Sequence, residues 1–229
     1  MAGVLAHNLF HRVGDVRTGV DVLRDVSFEA PAGAVTAVVG PAGSGKTSLL
    51  HLLAGLDRPT AGTVTLDGRV LRGLDDIELT RLRRDRVGLL LPAASVLPTI
   101  TVRENVALPL LIARRPPAPE AVDALLERVG LADKADARPD QLTAAERQRL
   151  ALARALVGGP SILLADEPAG ELDPDDACAL LLLLREIAEE DGIAVVLFTR
   201  DVDDAAGVAH GVVMLEAGRV VTAAAPLAA

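Results

Sequence analysis

Residues 40–47 read Gly40-Pro41-Ala42-Gly43-Ser44-Gly45-Lys46-Thr47, and this stretch decides the fold. It meets the pattern G-x-x-x-x-G-K-[ST] at every fixed position. The apolar run Ala34–Val39 precedes it and reads as a buried strand; Lys46–Ala54 follows and reads as a helix. Strand, glycine-rich loop and helix are the context this motif requires. Glycines let the backbone curl into a nest of N–H donors, and the helix behind it points its N-terminus at the same spot. A plain glycine turn before a helix would not need Lys and Thr at fixed places. In the phosphate-binding reading, Lys46 reaches the β- and γ-phosphates of a nucleotide and the Thr47 hydroxyl ligates Mg²⁺. Gly40, Pro41, Ala42, Gly43, Ser44, Gly45, Lys46, Thr47 and Ser48 are therefore the candidate nucleotide-binding residues.

Further along, residues 161–168 read Ser-Ile-Leu-Leu-Ala-Asp-Glu-Pro. An apolar strand that ends in two acids supplies the other half of a nucleotide site: Asp166 to hold Mg²⁺, directly or through water, and Glu167 to polarise an attacking water. A strand that merely ends in acids is the plain alternative, which the phosphate loop disfavours.

Around these two segments, apolar runs alternate with helix-length stretches. Gly62–Leu66, Val87–Leu91, Ala194–Thr199 and Gly211–Leu215 read as further strands. Such alternation predicts an α/β fold with a largely parallel sheet. Thr101–Val157 is mostly helical in pattern, broken at Arg115–Pro119 and Arg138–Asp140, and reads as a helical insertion. The Ala-rich tail Ala223–Ala229 reads as lacking fixed structure.

Composition narrows the function classes. The 229 residues suit one domain carrying an insertion, and half are apolar. There is no Trp or Tyr and there are three Phe, so the core is built from Ala, Leu, Val and Ile. The formal charge of −9 repels phosphate backbones and argues against nucleic acid as a partner. Lys46 and Lys134 are the only lysines, which makes a lysine at the phosphate position less accidental. Cys178 stands alone and forms no intrachain disulfide, consistent with a reducing cytoplasm. Met1–Phe10 has no basic stretch ahead of its apolar residues and does not read as a signal peptide. The longest uncharged stretch, Val87–Val102, is interrupted by Pro92 and Pro98 and is short for a bilayer span. The four histidines have no metal-ligand spacing.

Lys46 and Asp166 lie 120 positions apart, room for a helical subdomain between them. On these motifs the sequence resembles the ATP-binding subunits of ABC transporters over essentially its whole length. Residues 53–62, 97–106 and 167–173 are most similar to the lipoprotein-releasing and macrolide-exporting branch. The resemblance implies a P-loop NTPase of ABC type spanning 1–229. Its mainly parallel core would carry an N-terminal antiparallel β part and a helical subdomain inserted at about 93–158. It implies ATP and Mg²⁺ as cofactors, ATPase activity with Glu167 catalytic, and a homodimer or a heterodimer with another such subunit. It also implies a transmembrane permease as partner, with the chain peripheral on the cytoplasmic face of the cell membrane.

Several family positions depart from the pattern. The Q-loop glutamine is replaced by Pro92, which has no side-chain donor or acceptor. The signature reads Leu142-Thr143-Ala144-Ala145-Glu146, with two alanines for glycines. The switch histidine is Arg200, able to contact a phosphate but not to exchange a proton at neutral pH, or to pair with Glu167 instead. The adenine-stacking position falls on Val13, with Phe10 nearby. Asp173 keeps the acid that joins two subunits in the family. These departures leave open a working transporter ATPase and a degenerate subunit beside a competent partner. A P-loop protein outside transport lacks support, since there is no second P-loop, coiled-coil insertion or basic surface.

Overall fold

The computed structural model describes residues 3–14, 18–91, 96–115 and 117–224. Its central sheet has six strands in the order β10-β9-β3-β8-β7-β6. These are β3 (Val35–Val39), β6 (Val87–Leu90), β7 (Ile162–Asp166), β8 (Ala194–Thr199), β9 (Gly211–Glu216) and β10 (Arg219–Ala224). The pairings β3–β8, β3–β9, β7–β8 and β6–β7 are parallel, and only β9–β10 is antiparallel. β3 and β8 are buried at every position, as expected of parallel strands covered on both faces, and this is why they read as unbroken apolar runs.

The period of two along each strand separates two cores. Val35, Ala37, Leu163, Ala165, Val195 and Leu197 face one layer. Val38, Ile162, Leu164, Val196 and Phe198 face the other. On the second side α1 (Lys46–Leu53) buries Leu49, Leu50, Leu52 and Leu53. Beyond it lies a four-stranded antiparallel sheet, ordered β2-β1-β4-β5. It contains β1 (Gly3–Val13), β2 (Val20–Pro31), β4 (Ala61–Leu66) and β5 (Arg69–Val70). Its inward residues, among them Val4, Leu9, Val26 and Val64, close the same core.

The first side is helical. It holds α3 (Val102–Ile112), α4 (Pro119–Arg128), α5 (Ala144–Leu156), α6 (Pro174–Asp191) and α7 (Val202–Val208). A further helix, α2 (Asp76–Arg86), leads into β6. Helices α2, α3 and α5 each start on a reciprocal capping box: Asp75 with Glu78, Thr101 with Glu104, Thr143 with Glu146. Each cap satisfies two otherwise orphan donors and contributes about 1 kcal/mol. α4 begins on Pro119 itself, so the last of the three prolines opens a helix, where its missing N–H costs nothing.

The loop before α3 is held by Asn105, which is fully buried. Its amide donates to the carbonyls of Leu97, Ile100 and Thr101 at 3.0, 3.3 and 3.0 Å. Its Oδ1 accepts from the Leu97 N–H at 2.9 Å.

The tail expectation needs correction. Ala223 and Ala224 belong to β10, opposite Val213 and Val212. The free edge of β9 and the turn Ala217-Gly218, both with φ near the left-handed region (46° and 77°), draw the chain back as a hairpin. Residues 225–229 lie outside the described residues. No described helix is long and apolar enough to cross a membrane.

Candidate functional site

The site grows from the C-terminal ends of β3 and β7. Gly40 follows β3 and its N–H donates to Thr199 O at 3.2 Å, tying the loop to the end of β8. A Cβ at Gly40 would stand 2.2 Å from Leu215 O and 2.7 Å from Ser44 Oγ, so no other residue fits there without moving backbone. Gly45 takes φ 107° and caps α1 in a left-handed conformation. The loop is further closed by Ser44 N–H to Pro41 O, 3.2 Å, and by Gly218 N–H to Ser44 O, 3.0 Å.

Lys46, the first residue of α1, is only 8% exposed. Its Nζ donates to Gly40 O at 2.6 Å and Pro41 O at 3.2 Å, and lies 3.6 Å from Glu167 Oε1. Thr47 is exposed on the first turn of α1. Asp166 is the last residue of β7. Glu167 follows with φ 46°, and its N–H donates to Phe198 O at 2.9 Å. That bond fixes the backbone which aims its carboxylate back toward Lys46.

A cleft of about 410 Å³ brings together Lys46, Thr47, Ser48, Asp166, Glu167 and Arg200, with Ala42, Gly43, Gly45 and Val22 as walls. Partial burial is the main cause that pushes the Asp166 carboxyl above the usual range. The Glu167 charge adds to it, against the opposing pull of Lys46 and His51. A divalent cation beside Asp166 would relieve both causes. The residues fit a phosphate ligand on two further counts. The hydroxyl of Ser44 is buried without a hydrogen-bond partner. Gly45, a wall of the cleft, packs so tightly on Val22 and Leu23 that a Cβ there would stand 2.8 Å from Leu23 Cδ2, which keeps bare loop backbone at the cleft.

The departing positions divide. Pro92 lies outside the described residues. Thr143 Oγ accepts from the Glu146 N–H at 3.1 Å, so the hydroxyl of the altered signature caps α5. Ala144 is exposed, whereas Ala145 is buried in the core. Arg200 pairs with Glu167: its Nε lies 3.3 Å from Oε1, and its backbone N–H donates to Oε2 at 3.3 Å. Asp173 caps α6, accepting from Asp176 N–H at 3.1 Å. The Asp-Pro pair at 173–174 signals that cap in the sequence. Val13 and Phe10 are about half exposed on β1; Val22 is the β2 residue beside the loop. No group of three or more metal-ligating side chains occurs among the described residues.

Comparison with known proteins agrees with this geometry. The family model described as "ABC transporter" matches residues 23–170. The methionine import ATP-binding protein MetN 1 of Rhodococcus jostii is 42% identical over 212 residues. That alignment covers 92% of this chain but 62% of the relative, so the chain spans less than two thirds of that protein's length. The ATP-binding cassette MJ0796, solved as a dimer bound to ADP and Pi, superposes with a TM-score of 0.87. It is 32% identical, with 99% of both chains covered. A cassette of the cbiONQ transporter complex from Clostridium perfringens, cbiO1, gives a TM-score of 0.88 at 24% identity, covering 98% of this chain and 89% of its own; it supports the fold alone. The curated relative serves import, while the sequence resemblance leans to an exporting branch; what they share is the family. With the phosphate loop, the acidic strand end and the whole-chain superposition in agreement, the chain belongs to the ABC transporter family as an ATP-binding subunit.

Proposed function

We propose that the chain binds MgATP in the cleft at Gly40–Ser48, hydrolyses it slowly, and couples that cycle to a transmembrane permease from the cytoplasmic face of the membrane. The observation that carries this reading is the convergence of Lys46, Asp166 and Glu167 on one cleft at the end of the phosphate loop. Loop N–H groups and Lys46 would grip the phosphates, which replace the carbonyls of Gly40 and Pro41 as partners of Nζ. The hydroxyl of Thr47 and the carboxylate of Asp166 would hold Mg²⁺, whose contribution is to neutralise charge on the phosphate oxygens. Glu167 would orient the attacking water. The helices between β6 and β7 fit a subdomain inserted at about 93–158 within a single domain of 1–229, which would present α5 to a second subunit.

Slow turnover follows from the residues that ought to assist. Arg200 is occupied by Glu167, and the altered signature carries Ala144 and Ala145 where the family has glycines. Losing one well-placed polar contact can cost roughly 10²–10³ in rate, and such losses need not add. These departures also favour a second reading, a regulatory subunit that binds ATP beside a competent partner. Purification from detergent extracts tests the coupling. A membrane permease should accompany the chain, whereas recovery solely as a soluble complex with nucleic acid would overturn the proposal.

A further inference from the structure

Glu167 is the meeting point of two cations. Its Oε1 lies 3.6 Å from Lys46 Nζ and 3.3 Å from Arg200 Nε, and its Oε2 accepts from the Arg200 N–H at 3.3 Å. The Glu167 backbone is pinned to Phe198 O at φ 46°, and both carboxylate oxygens have partners. Arg200 is anchored differently. Its backbone follows the end of β8, where Gly40 N–H meets Thr199 O, but its side chain is 60% exposed and borders the cleft. The guanidinium, 60% exposed against 25% for the acid, is the more readily displaced member of the pair.

Resting on the reading that this cleft binds ATP, we propose that Arg200 is a positioning residue that latches Glu167 and is released by the γ-phosphate. A guanidinium pairs with a phosphate in a planar, two-pronged geometry that one Nε contact to a carboxylate does not match. A triphosphate reaching Arg200 therefore competes for it, and Glu167 becomes free to meet a water. A diphosphate lacks the additional group that would compete for Arg200 and would leave the latch closed. An imidazole in the same place would carry no permanent charge with which to clamp the acid. The substitution at position 200 thus changes the kind of control exerted on Glu167 as well as its strength.

The latch has a thermodynamic consequence that is read without hydrolysis. ATP must break the Arg200–Glu167 pair and ADP need not, so weakening the pair tightens ATP selectively. A partly exposed pair of this kind alters an equilibrium by roughly two- to fivefold. Affinities for fluorescent ATP and ADP analogues should be measured in four proteins: the unmodified chain, Glu167→Gln, Arg200→Ala, and the double variant. Glu167→Gln should tighten ATP by roughly two- to fivefold and leave ADP unchanged. In the Arg200→Ala background the same change should tighten ATP less, because only the Lys46 contact of Glu167 and its repulsion of the phosphates remain to be relieved. Arg200→Lys should restore part of the difference. An equal effect of Glu167→Gln on ATP in both backgrounds would overturn the latch while leaving ATP binding intact. Absence of nucleotide binding in the unmodified chain would instead overturn the assignment of the cleft and the latch with it.

Discussion

Replacing Lys46 with Ala isolates the phosphate grip. The ammonium makes two hydrogen bonds to neutral carbonyls, Gly40 O at 2.6 Å and Pro41 O at 3.2 Å. In the bound state phosphate oxygens would take over, and each ion–dipole bond would become a contact between opposite charges. Truncating one partner of such a buried charge pair costs about 2–5 kcal/mol, and the carbonyl bonds given up on binding place Lys46 at the lower end, about 2–3 kcal/mol. That corresponds to a loss of roughly 30- to 150-fold in MgATP affinity in Lys46→Ala. The fold should survive. The other buried residues of α1 are untouched, and Glu167 keeps Arg200 as a partner. Calorimetric titration with MgATP, alongside a thermal melt of the same sample, separates lost binding from lost structure. A folded variant that binds MgATP within about threefold of the unmodified chain, far short of the tenfold that 1.4 kcal/mol brings, would refute the assignment.

Other substitutions probe the frame around the site. Gly40→Ala places a Cβ 2.2 Å from Leu215 O; it should lower stability in urea by at least ~2 kcal/mol and impair nucleotide binding. Gly43→Ala meets no atom within 4 Å and should cost about 1–2 kcal/mol from its left-handed φ alone. Asp204 sits where burial pushes its carboxyl above the usual range, with Asp201, Glu167 and Asp203 adding to the shift and the Thr199 hydroxyl opposing it. A raised acid is favourable to folding while protonated, and its contribution is lost as pH rises through the folded-state value. Asp204→Asn should therefore raise the melting temperature at neutral pH, with the gap closing as the pH falls into the carboxylate range. A gap that widens on acidification would reverse the sign of this argument.

Much of the candidate site is legible in the sequence because its signals are local. The phosphate loop carries its chemistry in eight consecutive residues, and the acidic strand end in two. The buried strands declared themselves as apolar runs, since a parallel strand hides both faces. Side chains that act across the fold left weaker marks. Asn105 looks like an ordinary polar residue of a helix until the chain folds and it holds three carbonyls. Asp67, followed by Gly68, reads as a turn residue, yet it also accepts from Gly3 N–H and the Ser161 hydroxyl and pairs with Arg86. The cluster Glu189-Glu190-Asp191 reads as a solvated helix end, but Arg128 reaches across from α4 to Glu190 and Asp191. For Arg200 the sequence offered two partners, and only the geometry places Glu167 at 3.3 Å. The family match accounts for the frame, and these contacts account for how this chain departs from it.

The central claim, that a sound phosphate grip is coupled to weak hydrolysis, is tested most directly by comparing ATP turnover by the purified chain with that of one repaired variant. The variant combines Pro92→Gln, Ala144→Gly, Ala145→Gly and Arg200→His. Two glycines in the first turn of α5 should cost about 1–2 kcal/mol in stability, so both proteins are assayed well below their melting temperatures. With MgATP affinity measured on the same samples, the account predicts similar binding and turnover at least ~10-fold faster in the repaired chain. Equal turnover in the two proteins would contradict it and show Pro92 and Arg200 to be working replacements.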